Sequence, residues 1–147
     1  MPHLNGALKK SGPLVDVLVS VSEPRLDALL AAGRQIPPAI KIRALIDTGA
    51  SCTAIDTSIV RKLEIPATGT VDVRTPSTGA TPHTFNQYDI QLTILDERGN
   101  PLSSGHSIPI VGSDFSGQDI EALIGRDLLA MGILIYNGTA GSFTLSY

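Results

Sequence analysis

Residues 44–51 read Ala44-Leu45-Ile46-Asp47-Thr48-Gly49-Ala50-Ser51. Three apolar residues run into a turn-prone Asp-Thr-Gly triplet. The pattern describes a strand leaving a hydrophobic core with one carboxylate lifted at its end. Just upstream, Ile40-Lys41-Ile42-Arg43 alternates apolar and charged residues, as a strand does while one of its faces meets water. The Pro37-Pro38 pair before it cannot extend a helix and delivers the chain into that strand. Downstream, residues 56–63 read as a short amphipathic helix that stops near Pro66. About 75 residues beyond Asp47 the apolar pattern returns. Residues 122–129 are Ala122-Leu123-Ile124-Gly125-Arg126-Asp127-Leu128-Leu129, a short strand entering a helix through a glycine.

The remaining segments are mostly short strands. Residues 14–21 are rich in valine and leucine and too short for a convincing helix. Ser22-Glu23-Pro24 looks like a helix start with Ser22 as N-cap; residues 25–32 form the helix and Gly33 closes it. Val71 and Val73 mark a further strand, and residues 75–82 are small, polar and turn-prone, hence an exposed loop. Phe85, Tyr88, Ile90, Leu92 and Ile94 outline a long strand, and the change of phase between Phe85 and Tyr88 hints at a bulge. Residues 97–101 form a turn, and Ile108 and Ile110 lie on another strand. Residues 126–131 form a short helix ended by Gly132. Residues 133–136 and 142–147 make a terminal hairpin around Asn137-Gly138. Many short strands with two or three small helices imply an all-β chain whose sheet folds into a barrel-like form. No linker or repeat interrupts it, so a single domain over residues 1–147 is expected.

Composition narrows the class. A chain of 147 residues with 42% hydrophobic and 17% charged residues is long enough and apolar enough for a real core. A net charge of −3 offers no footprint for nucleic acid or an anionic membrane surface. No apolar run approaches the roughly 20 residues of a membrane-spanning helix, and the N-terminus shows no long apolar segment of the secretory kind. Cys52 is the only cysteine, which rules out an intrachain disulfide and suits a reducing compartment. A cytoplasmic, free-standing protein is the expectation.

An Asp-Thr-Gly triplet alone is usually a structural turn. Paired with the segment 122–129, however, it resembles the signature of retropepsin-type aspartic proteases. The stretch between adds to the likeness: a short helix ending in Leu63-Glu64-Ile65-Pro66, a strand, a glycine-containing loop, and a strand carrying Tyr88-Asp89-Ile90. The resemblance covers residues 38–147; residues 1–37 are an N-terminal strand and extension. It implies a retropepsin-like acid protease fold and an aspartic endopeptidase that needs two aspartates. With one such motif per chain, it implies a homodimer with Asp47 of each protomer at the two-fold axis. Peptide or unfolded protein would be the substrate, with no cofactor and no metal.

By the same resemblance Thr48 hydrogen-bonds across the dyad to the other protomer. Gly49 presents backbone groups to the carboxylate and to bound peptide. Ala50 stands where pepsin-like enzymes usually carry a hydroxyl that favours the ionised aspartate. Without that donor the expected optimum is mildly rather than strongly acidic. Ile124, Gly125 and Arg126 form the second scaffold, the glycine letting two backbone segments pack closely. The hairpin over residues 75–84 is the flap candidate, with Thr78, Gly79 and Ala80 at its tip. In retroviral enzymes the chain termini interleave at the dimer interface, and residues 142–147 are the candidate strand for that role.

Other readings compete. A retropepsin-fold module used only for dimerisation or peptide binding would share the fold but not need the aspartate. Cys52 beside the turn suggests a nucleophile with His83 or His106, but a small core thiol fits better. His3, His83 and His106 lack metal-ligand spacing. Ser51 has no Gly-x-Ser-x-Gly elbow around it. In retroviral enzymes the arginine of the second motif pairs with an acid two positions past the active-site glycine; this chain has Ser51 there, so Arg126 is expected to bond other groups. Asn137-Gly138-Thr139 fits a glycosylation sequon but reads as a hairpin turn. Ile55, Ile110 and Val111 serve either as pocket walls for apolar substrate side chains or as core.

Overall fold

The computed structural model describes the chain from Met1 to Tyr147. Its elements run β1 (His3–Ala7), β2 (Leu14–Val21), α1 (Glu23–Ala31), β3 (Ile40–Ile46), β4 (Ala54–Asp56), α2 (Thr57–Lys62), β5 (Gly69–Val73), β6 (His83–Ile94), β7 (His106–Ser113), β8 (Ala122–Ile124), α3 (Arg126–Leu129), β9 (Ile133–Asn137) and β10 (Ser142–Ser146).

Alternation sets the faces of the long strands. In β2 every second residue, Val15 to Val21, is buried, and the residues between them are half-exposed. Period-2 burial of this kind makes one face of a sheet into a core wall. The strands join in the order β2-β3-β8-β4-β7-β6, and pairing of β6 back onto β2 closes them into a six-stranded barrel. Its interior is aliphatic: Val17, Val19, Ile55, Ile90, Leu92, Ile94, Ile110 and Ile124 are essentially inaccessible. Each such side chain contributes roughly 1.5–3 kcal/mol by leaving water. β5 hangs outside the barrel on β6. A second sheet, β1-β10-β9, joins the two ends of the chain, and its Leu4, Phe143 and Leu145 belong to the same core cluster. No helix is long and apolar enough to cross a membrane.

Several local expectations change. Ser22 stands at the N-cap of α1, but its side chain caps nothing and is buried instead. The phase change in β6 is not a bulge. Residues 83–87 pair with β5 and residues 87–92 with β7, both in unbroken register. The strand changes neighbour at Gln87, so Phe85 belongs to the outer hairpin and Tyr88 to the barrel. β1 and β4 carry no readable sequence signal: β4 is three residues long, and β1 holds an asparagine and a glycine. The terminal strand β10 lies in the middle of its sheet with β1 and β9 on either side. Both of its edges are taken, so it has none left to interleave with another chain.

Candidate active site

The order of three strands positions the Asp-Thr-Gly turn. β8 runs parallel to β3, with Ala44, Leu45 and Ile46 opposite Ala122, Leu123 and Ile124. On its other side β8 pairs antiparallel with β4. The second motif therefore lies between the strand that enters the turn and the strand that leaves it, and residues 47–53 must cross its end. The crossing is tied by backbone bonds. Asp47 N donates to Ile124 O at 2.9 Å, and Arg126 N donates to Ala50 O at 2.9 Å. A Cβ on Gly125 would lie 2.5 Å from the Cys52 carbonyl carbon and 2.6 Å from its oxygen. Only a residue without a side chain allows the two backbones to cross here.

Within the turn, Ala50 N donates to Asp47 O at 3.2 Å and Gly49 N donates to Asp47 Oδ1 at 2.8 Å. The second carboxylate oxygen has no partner in the chain. Asp47 is half-buried, and Thr48 and Gly49 are exposed at the tip. Arg126 Nη1 donates to Thr48 O at 2.8 Å. The guanidinium thus holds the turn's backbone, and the chain's two salt bridges both involve Asp16 instead.

A second polar cluster supports this one. Thr53 is fully buried. Its N and its Oγ1 donate to the two oxygens of Asp127, each at 2.8 Å, and Oγ1 accepts from Gly125 N at 3.1 Å. Asp127 Oδ1 also accepts from Leu128 N at 2.9 Å, within the first turn of α3. Tyr147 closes the cluster from the C-terminus: its hydroxyl donates to Leu128 O at 3.2 Å. Burial, then the negative charge of Asp127, push its phenol up to about 12. Sequence reasoning assigned no role to Thr53, Asp127 or Tyr147. The only signal was an acid directly after Gly125-Arg126, which becomes informative once Thr53 is known to face it.

The hairpin of β5 and β6 stands beside the turn. Between them lies a groove of about 460 Å³ lined by Ser51, Cys52, Val71, Asp72, Val73, Arg74 and Pro82. On the hairpin side its wall is β5, with Arg74 and Pro82 of the loop that follows. The expected tip residues Thr78, Gly79 and Ala80 sit further out; Thr78 N donates to Thr75 O at 3.0 Å, and Gly79 takes a left-handed φ of 62°. Burial raises the Cys52 thiol above its ordinary range, which disfavours a thiolate nucleophile. Ile55 and Ile110 belong to the buried core; Val111 is buried too but on the other face of β7, outside that cluster, and none of the three lines the groove beside the turn. No group of three or more His, Cys, Asp or Glu side chains is placed to hold a metal ion.

Residues 39–128 match the model of a family described as aspartyl protease. Among solved structures, the crystal structure of a retropepsin-like aspartic protease from Rickettsia conorii superposes with a TM-score of 0.57 at 16% identity, covering 99% of this chain and 90% of that one. At that identity the likeness establishes the fold. No curated protein matches the chain in sequence.

Proposed function

The chain belongs to the aspartyl protease family, and from that premise we propose that it is an aspartic endopeptidase acting as a homodimer, with one Asp47 from each protomer at a shared centre. The observation that carries this reading is the Asp47 turn. It is tied by Ile124 and Arg126 on the core side, while its Thr48-Gly49 tip is exposed and one carboxylate oxygen is free. A single protomer supplies one such carboxylate, and the chemistry needs two.

Two carboxylates brought within about 3 Å cannot both ionise cheaply, so they share a proton and titrate as a pair. The ionised member takes a proton from a water held between them. The protonated member donates to the carbonyl oxygen of the scissile peptide. Water adds to the carbonyl carbon to give a tetrahedral gem-diol, which collapses with proton transfer to the leaving nitrogen. Thr48 reaches the partner turn, Gly49 orients the carboxylate, and Arg126 holds the Thr48 carbonyl. The groove beside Ser51 and Cys52 receives the peptide, with the β5–β6 hairpin as its cover.

The test is cleavage of casein between pH 3 and 7 by wild type and Asp47→Asn, with pepstatin as a probe. Activity that is lost by about 10²-fold or more in the variant supports the reading. A dimer that cleaves nothing would move the assignment to a peptide-binding or dimerisation module.

A further inference from the structure

We propose that a basic groove on the outer face of the barrel is a docking site for an acidic segment of a protein substrate, away from the bond that is cleaved. The inference rests on the protease reading above. The groove shares no residue with the one beside Ser51 and Cys52.

It encloses about 440 Å³ where β1, the start of β2, β3 and the turn after β6 meet. Lys9, Lys41, Arg43 and Arg98 converge on it from three separate segments, in a chain whose net charge is −3. Asp16, Asp96 and Glu97 lie among them, but each is already engaged within the chain. Asp16 accepts from Lys41 Nζ at 3.0 Å on one oxygen and from Arg43 Nε at 3.3 Å on the other. Asp96 Oδ1 accepts from Arg98 N at 2.9 Å and from Asn100 N at 2.8 Å. Glu97 Oε1 accepts from Asn5 N at 2.6 Å.

The cations are less fully engaged. The side chains of Lys9 and Arg98 make no hydrogen bond or ion pair. Arg43 gives Asp16 only its Nε, and a guanidinium fork has further donors to offer. The side chains of Lys41 and Arg43 stay 56% and 55% exposed, so their charged ends remain within reach of a ligand. The groove thus presents unspent, positively charged N–H donors, and their chemical complement is a carboxylate. Asp16 already occupies such a position. Burial pushes its carboxyl upward, yet hydrogen bonds from Lys41 and Arg43, and then their charges, hold it below the ordinary 3.8.

A short acidic segment suits this groove better than a polyphosphate. Nucleic acid calls for a positive strip along its backbone, whereas these four cations gather in one place on a chain of negative net charge. The groove is also tied to the candidate site. Arg43 stands four positions before Asp47, roughly 13 Å along an extended chain at about 3.3 Å per residue. Ile46 N donates to Pro13 O at 3.0 Å, so the chain entering β2 at the groove is bonded to the residue before Asp47. A substrate tethered here gains effective concentration at the turn without any new contact at the cleaved bond.

Binding is measured by fluorescence anisotropy on full-length Asp47→Asn, so that the probe is not consumed, with labelled hexaglutamate and hexaglutamine peptides. Hexaglutamate should bind at least about tenfold more tightly than hexaglutamine, and weaken as salt rises from about 50 to about 500 mM. Lys9→Glu/Arg98→Glu should erase that preference while keeping a cooperative melt, because neither side chain is bonded within the chain. Arg34→Glu/Lys62→Glu, outside the groove, changes the net charge equally and should retain the preference. Cleavage is then compared, with Asp47 intact, on an unstructured substrate with and without a six-glutamate tag. The tag should lower KM by at least about fivefold with kcat unchanged, and Lys9→Glu/Arg98→Glu should remove the advantage. Equal binding of the two peptides, or equal loss in the Arg34 and Lys62 control, overturns the groove. Peptide binding without an effect of the tag on KM overturns its part in substrate recruitment. A wild type that binds hexaglutamate but cleaves neither substrate removes the protease reading and leaves a docking site for acidic segments.

Discussion

The carboxylate of Asp127 grips both polar groups of Thr53, taking the backbone N–H on Oδ2 and the hydroxyl on Oδ1, each at 2.8 Å. The two residues lie 74 positions apart in sequence, and between them they fasten α3 to the segment that leaves the Asp47 turn. Thr53 is fully buried, so its polar groups have no access to water in exchange. The same carboxylate also accepts from Leu128 N inside α3, so one side chain bonds both the helix and the crossing.

Asp127→Ala should therefore cost roughly 1–3 kcal/mol, the penalty for leaving a buried donor unmet. Asp127→Asn keeps one acceptor oxygen and should cost less. Urea melts of the two variants beside wild type check the order; equal loss in both would mean that the charge, and not the bonding geometry, sets the effect. Cleavage should fall more than stability alone accounts for, because the clamp positions the turn.

Gly125 and Gly69 form a contrasting pair. Gly125→Ala forces a Cβ to within 2.5 Å of backbone at Cys52, where no flexible side chain can yield. Overpacking of this kind costs about 1–3 kcal/mol or more, and the shift passes directly to the Asp47 turn. A Cβ on Gly69 meets nothing within 4 Å, and Gly69→Ala should lie within about 0.5 kcal/mol of wild type. Thermal melts of both variants test this, and comparable stabilities would refute the backbone-crossing account.

Asp56 gives the fold an acid limit. Its carboxyl sits at the N-cap of α2, accepting from Ser58 N and Phe115 N at 2.8 Å each. The hydrogen bond from Ser58 contributes most, and with that from Phe115 it outweighs burial and holds the carboxyl below its ordinary value of 3.8. A depressed carboxyl stabilises the fold above its unfolded-state value and loses that contribution as pH falls through the folded one. Asp56→Ala should be less stable than wild type by about 1 kcal/mol at pH 7, with the gap unchanged at pH 5 and closing below about pH 4. Denaturant titrations at several pH values give the comparison, and a gap that persists at pH 2 would remove the capping explanation.

At the alkaline end the same reasoning applies to Tyr147 with the opposite sign. Its phenol, ordinarily near 10, is pushed to about 12. The resulting stability is complete below pH 10 and is lost as pH rises towards 12. Ultraviolet titration of the chain's three tyrosines should show one late component that disappears in Tyr147→Phe. A titration unchanged by that substitution would place the late phenol elsewhere.

Much of this molecule was legible along the chain. Residues 14–21 are rich in valine and leucine, Ile40-Lys41-Ile42-Arg43 alternates, and Asp-Thr-Gly after an apolar run reads as a turn. These signals are local, because strand period and turn chemistry act over a few residues. The close packing expected at Gly125 is present for the same reason that a glycine was needed there. The cap expected from Ser22 is absent because burial claimed that side chain.

Sequence alone therefore determined the all-β character, the two motifs and the candidate carboxylate, since each is a short-range pattern of apolar, charged and turn-forming residues. Tertiary structure decided that β8 enters between β3 and β4, that Asp127 faces Thr53, and that β9, not β10, has the open edge. Those relations depend on which distant segments meet and in what register. A buried threonine or an edge isoleucine looks the same in sequence wherever its neighbours lie, and only the closed barrel and the terminal sheet bring those neighbours into place.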